Sequence, residues 1–299
     1  MRPLLLLGIA LWAFHTAACQ DVPSNIYLFQ LTVSEDSTYA LSKPRYLTGF
    51  NPRGYNDHPS FLNKDELCLS VRTPNSRQAD LYKLDLRDTT ITRLTKTPEG
   101  EYFPRPTPSA YNFSALRLEL QMRDTLSRLW EFPIDGVTDG RPIFKYADDI
   151  QAYHWINSQR VAVYRHGKPP KLVIMDVNSD REVARIGPPG APVGPCFKMQ
   201  PNGKLLFLQK QAAGPAELRE FQLRDGTDQL LTEALPGAEY FELLPNGAIL
   251  MGQGSRIFLY DRFRGGGWRE IADLSYYNIH SISRLALSRD LKLAVVSRL

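Results

Sequence analysis

The stretch CFKMQPNGKLLFLQKQAAGPAELREFQLRDGTDQLLT, residues 196–232, contains one complete unit of a repeat that runs the length of the chain. Four short runs follow one another in it: CFKMQ (196–200), KLLFLQK (204–210), AELREFQL (216–223) and TDQLLT (227–232). Each is apolar or alternating, and Pro, Asn, Gly or Asp stands in the breaks between them. No long window carries the 3.6-residue period of an amphipathic helix, so the runs read as strands joined by tight turns.

The same order recurs on both sides of this unit. Opening runs are HPSFL (58–62), FPRPT (103–107), AYHWI (152–156), YFELL (240–244) and RLALS (284–288). Second runs are ELCLSVR (66–72), ALRLELQMR (115–123), RVAVYRH (160–166), AILMGQG (248–254) and LKLAVVSR (291–298). Third and fourth runs follow in five of the six units, as in ADLYKLDL (79–86) with TTITRLT (89–95). The openings at 58, 103, 152, 196, 240 and 284 lie 45, 49, 44, 44 and 44 residues apart. Four strands per unit at this period mark a β-propeller. One four-stranded sheet cannot cover both its faces, so each blade packs on its neighbours until the last meets the first.

The sixth unit stops after its second run, and the missing pieces lie at the other end of the chain. NIYLFQL (25–31) has the third-strand pattern and SKPRYLT (42–48) the fourth. Two strands lacking and two in surplus predict an all-β, six-bladed propeller whose last blade is closed by N-terminal strands. Such closure leaves no open half-blade edge.

At this point the residues resemble the TolB-like propellers, a group with WD-like repeats. Pro201-Asn202-Gly203-Lys204, Pro245-Asn246-Gly247 and Ser288-Arg289-Asp290 are degraded copies of that group's S-P-D-G-type turn between first and second strands. Arg93-Leu94-Thr95 and, more loosely, Arg45-Tyr46-Leu47-Thr48 match its Arg-x-Leu-Thr ending. The resemblance covers roughly residues 25–299, and blade two lacks the turn signature while blade five lacks the polar strand end. It implies a fold and no particular activity.

Arg2, the apolar run Leu4–Phe14 and the small residues Thr16, Ala17 and Ala18 have the shape of a secretory signal. The domain division is therefore a signal peptide at 1–19 and the propeller at 20–299. Ala17-Ala18-Cys19 resembles the end of a bacterial lipobox, in which Cys19 is lipidated, although Thr16 stands where that pattern wants Leu. The expected location is the periplasm or, with a lipid anchor, the outer membrane. No later segment is long and apolar enough to span a bilayer. Cys68 and Cys196 sit in apolar runs without CxxC or His spacing and read as buried free thiols.

A net charge of +4 without a Lys/Arg run gives no support to nucleic-acid binding. His58, His154 and His280 fall near the starts of innermost strands but at three different phases, which argues against one shared metal ligand set. No GxSxG is present, Gly265-Gly266-Gly267 reads as a hairpin turn, and no cofactor is expected. The recurrent polar feature is the end of the second strand, where Arg72, Arg123, His166, Lys210 and Arg298 fill five of six equivalent slots and Gly254 the other. Read functionally, they form a basic ring that attracts an anionic partner; read structurally, they are ordinary charged strand ends. The alternative site is the channel mouth near His58, Phe103 and Tyr240. The expectation is a monomeric, non-catalytic exported propeller binding an envelope protein or an anionic glycan-like ligand. Its rival is a propeller lyase or hydrolase acting on a polyanionic saccharide.

Overall fold

A computed structural model of the chain describes residues 22–35, 38–109, 111–121, 124–136, 139–188 and 190–299. The signal segment, Cys19 and Arg123 lie outside the described residues. Six antiparallel sheets form six blades, five of them four-stranded meanders in sequence order from the channel outward. Blade 4, the unit quoted first above, comprises Val193–Met199, Leu205–Gln209, Glu217–Phe221 and Asp228–Glu233.

Blade 6 joins the chain ends. Ser24–Val33 lies beside Lys292–Arg298, with Ser24 opposite Arg298 and Gln30 opposite Lys292. Its outer neighbour is split: Tyr39–Leu41 pairs with the far end of Ser24–Val33, and Arg45–Tyr46 pairs near its middle. The break has a local cause. Pro44 has no N–H to donate, and the Ser42 hydroxyl accepts a 2.8 Å hydrogen bond from the Gln30 amide, standing in for a ladder partner.

The buried side chains divide into six clusters, one at each blade interface. The second strands explain the division. Along Leu205–Leu208 the side chains alternate, so Leu205 and Phe207 enter the interface with blade 3 while Leu206 and Leu208 enter that with blade 5. Both faces of the strand are covered, and a continuous apolar run is the result. Leu293 and Val295 face blade 5, whereas Ala294 and Val296 face blade 1, by the same rule. Fourth strands such as Ile91–Arg93 are exposed at the rim. Cys68 and Cys196 are buried free thiols at two different interfaces, and burial pushes the Cys68 thiol up to about 12.

The Asn-Gly turns close as their composition demands. Gly203 and Gly247 take φ of +79° and +84°, a region that costs glycine little. The equivalent place in blade 6 is held by Leu291, at φ +63°.

Blades 4 and 5 are also tied by charge. The fully buried Glu220 carboxylate accepts hydrogen bonds from Gln200 at 2.9 Å, from Lys204 and Gln229 at 3.1 Å, and from Arg262 of blade 5. Burial alone would raise its pKa, but these donors outweigh burial and hold it at about 2. A depressed carboxylate contributes stability that is present above its unfolded pKa and is lost as pH falls through the folded one. The melting-temperature gap between the parent and Glu220→Gln should therefore be full above about pH 4.5 and close progressively toward about pH 2. A gap that stays constant over this range would mean that the charge of Glu220 does not carry the tie.

Candidate functional site

The first strands line the central channel, and their positions can be counted back from the turn into the second strand. Phe61, Pro106, Trp155, Met199, Leu243 and Leu287 are the last paired residues before that turn. One place earlier stand Ser60, Arg105, His154, Lys198, Glu242 and Ala286; three places earlier stand His58, Phe103, Ala152, Cys196, Tyr240 and Arg284. Residues two apart on a strand share a face, so the two columns form two layers around one axis. All of them except Ala152 line a central cavity of about 300 Å³.

Bulges aim the deeper layer. In blade 1 the register slips between Asp57 and Ser60, and in blade 2 between Tyr102 and Arg105. The residues at the slips, His58 and Phe103, adopt φ of +56° and +55°, strained for residues with a Cβ. Both precede a proline, which cannot donate to the ladder and marks the irregularity. The two rings then lie 3.6 Å apart between centroids. Arg284 from blade 6 lies 4.9 Å from the Phe103 ring and 3.7 Å from the Tyr240 ring, and it donates a 2.9 Å hydrogen bond to the Tyr240 hydroxyl. Four blades thus contribute one row of stacked groups across the channel.

The charges are mostly matched. Arg284 Nε lies 2.9 Å from Asp57 Oδ1. Burial pushes Asp57 up, but Arg284, His58 and the His58 backbone N–H together hold it below the ordinary carboxylate range. Burial drives the pKa of His58 down to about 3, against a smaller opposing pull from Asp57, so this imidazole is neutral near pH 7. Its Nδ1 lies 3.1 Å from the Tyr55 hydroxyl. In the shallower layer Lys198 and Glu242 pair at 2.8 Å.

Two groups in that layer are unmatched. Arg105 Nε is buried without a hydrogen-bond partner, and the residue has no ion pair among the described residues. His154 accepts a 3.1 Å hydrogen bond at Nε2 from the Met199 backbone N–H, which leaves the ring proton on Nδ1. That Nδ1 is buried and unpartnered. Burial, with Arg105 and Lys198 nearby, keeps His154 well below the usual histidine range. The strand carrying it is fixed from blade 2: Trp155 Nε1 donates to Ser114 Oγ at 2.9 Å, and the Tyr153 hydroxyl donates to the Phe103 carbonyl at 2.8 Å.

The basic-ring residues are placed differently. Arg72 and Arg298 end the second strands of blades 1 and 6, and Lys210 follows that of blade 4, away from the shallow layer. The Arg72 carbonyl accepts a 3.2 Å hydrogen bond from Asn51. His166 is exposed, with Nδ1 3.2 Å from Gln151, and Lys210 pairs with Glu239 at 2.8 Å. Arg298 borders a second cavity of about 170 Å³ between blades 5 and 6. His58 and Tyr240, by contrast, are brought together with Phe103 through Arg284. His280 is exposed and precedes the first strand of blade 6. Among the described residues no group of three or more His, Cys, Asp or Glu is arranged to hold a metal ion.

Sequence reading missed Arg105, His154 as a donor, and Arg284. The signal was present in the column of openings, since 58, 103, 152, 196, 240 and 284 are the deeper layer and a step of two gives the shallower one. What hid it was that charge pairing between blades cannot be read along one strand.

No protein-family model matches the chain, and no curated protein matches it. Solved structures do. A TolB-like protein from Agrobacterium tumefaciens superposes with a TM-score of 0.65 at 14% identity, over 93% of this chain and 99% of that one. TolB from Acinetobacter baumannii gives 0.58 at 12%, over 92% of this chain and 64% of that one. An oligogalacturonate lyase from Vibrio parahaemolyticus gives 0.53 at 8%, over 92% and 98%. Within the described residues no helix is long and apolar enough to cross a membrane. The order of the blades, the strand exchange that closes the ring and these superpositions make the chain a six-bladed β-propeller with the TolB-like fold.

Proposed function

We propose that this chain is an exported, non-catalytic propeller that binds a protein or glycan-like partner of the cell envelope through its central cavity. The observation that carries this reading is the cavity itself, where first strands of all six blades converge and place polar side chains around one space. Rigid strands hold those side chains, so little conformational entropy is lost when a partner is gripped there. The basic ring of Arg72, Arg123, His166, Lys210 and Arg298 is the weaker candidate, because the Lys210 ammonium already has a carboxylate partner. Export rests on the apolar run Leu4–Phe14 and the small residues before Cys19.

Capture of partners from envelope extracts distinguishes the two surfaces. Ser60→Tyr fills the cavity from blade 1 without changing charge, and the Lys210→Ser/Arg298→Ser pair removes two ring charges. The first variant should lose the captured partner while the second keeps it, both melting near the parent. The opposite pattern would move the site to the ring. Mass spectrometry of the native protein in the same preparation should find its N-terminus at Cys19 or Gln20; an intact Met1 would sink the export reading.

A second reading, cleavage of a polyanionic saccharide, draws on the likeness to oligogalacturonate lyases and on the unmatched cation Arg105. Incubation with oligogalacturonate, with and without added manganese, tests it. Appearance of unsaturated products, abolished by Ser60→Tyr, would favour the enzyme; intact substrate would leave the binding module.

A further inference from the structure

The cavity has a charge imbalance that specifies what fits it. Three cations, Arg105, Lys198 and Arg284, and one carboxylate, Glu242, line the cavity, and Arg284 is paired with the Asp57 carboxylate, which is not among the lining residues. The pairs Lys198–Glu242 and Arg284–Asp57 account for four of these groups, and Arg105 is left over. Arg105 is only half-buried as a residue, but a buried N–H without an acceptor carries a cost of its own. Arg105 Nε and His154 Nδ1 are both in that condition, on first strands of adjacent blades and in the same layer of the cavity. Both residues line the one central cavity.

We propose that Arg105 and the Nδ1–H of His154 form a receptor for a single carboxylate on the ligand. This rests on the cavity reading above and adds the chemistry of the group held. A guanidinium offers two parallel N–H donors that match the two oxygens of a carboxylate, and the imidazole N–H supplies a third bond from the side. One negative charge cancels the surplus. A dianion such as phosphate overshoots it and meets the Glu242 carboxylate in the same layer. The volume of about 300 Å³ lies at the small end of ligand pockets and suits one sugar acid or one terminal residue of a peptide. Phe61 and Trp155 line the same cavity and present apolar surface to the rest of such a ligand.

Calorimetry on the full chain with small probes tests this. The probes are galacturonate, an N-acetyl amino acid with a free carboxylate, the amides of both, and inorganic phosphate. At least one carboxylate should bind saturably, its amide and phosphate at least about tenfold more weakly. Which carboxylate binds better separates a glycan source from a peptide source. Arg105→Gln keeps a polar side chain but removes the charge and the guanidinium fork, and should weaken the carboxylate by about tenfold or more, with little effect on the amide. His154→Gln retains an acceptor for the Met199 N–H and should weaken it by about threefold to tenfold. Equal binding of acid and amide, tighter binding of phosphate, or unchanged affinity in Arg105→Gln would each overturn the proposal. Failure here while Ser60→Tyr still abolishes partner capture would remove only the carboxylate and leave the cavity as the site. If partner capture is also indifferent to Ser60→Tyr, the cavity reading itself falls.

Discussion

Deleting residues 25–48 while keeping the segment before them should abolish cooperative unfolding. The deletion takes all of Ser24–Val33 but its first residue from the side of Lys292–Arg298 and removes Ile26 and Leu28 from one blade interface and Phe29, Leu31 and Tyr39 from the other. Fully burying a large apolar side chain contributes roughly 1.5–3 kcal/mol, so these five together approach the roughly 5–15 kcal/mol that holds a typical domain folded. The loss also falls at the one place where the ring closes, leaving Lys292–Arg298 as a bare edge. Calorimetry of the truncated chain should show no sharp transition and soluble yield should collapse. A truncated protein that melts like the parent would show that the ring closes without these strands.

The second large effect is expected at a buried ion pair inside blade 2 that is braced by two threonines from the segment leaving blade 1. Glu101 is fully buried; its Oε1 accepts from Arg117 Nε at 3.0 Å and from the Thr97 hydroxyl at 2.5 Å, and its Oε2 from the Thr95 hydroxyl at 3.0 Å. Arg117 also stacks over Trp130 at 4.0 Å. Glu101→Ala leaves a buried guanidinium without its counter-ion and should cost roughly 3–5 kcal/mol in denaturant unfolding. Removing both charges in Glu101→Leu/Arg117→Leu should cost much less than the sum of the two single changes, because no charge is then stranded. If the double variant shows the full additive loss, the pair is not coupled and the threonines hold Glu101 unaided.

Both experiments probe how blades are joined, and the two kinds of joint differ in how far the sequence discloses them. Apolar joints are disclosed well. A second strand buried on both faces must be apolar at every place, so runs such as LLFL at 205–208 and LAVV at 293–296 declare themselves wherever they occur. Their spacing gave the blade count, and the surplus strands at 25–48 gave the closure. The split of the closing strand into Tyr39–Leu41 and Arg45–Tyr46 was not legible, since it depends on which hydrogen bonds remain once Pro44 removes one donor.

Charged joints and the candidate site stayed hidden for another reason. Arg284 is 227 residues from Asp57 in the chain and adjacent to it in the ring, so no local pattern couples them. At the ends of the second strands, reading along the chain counts the charges but does not show that Lys210 faces Glu239. The bulges that turn His58 and Phe103 into the channel leave only a proline after each as their trace. The sequence by itself determined the repeat, the number of blades and the strand exchange, since these follow from periodic burial of apolar side chains. Only the tertiary structure decided which charges are paired and which polar atoms, Arg105 Nε and His154 Nδ1 among them, are buried without a partner, because pairing is set by distances across the ring.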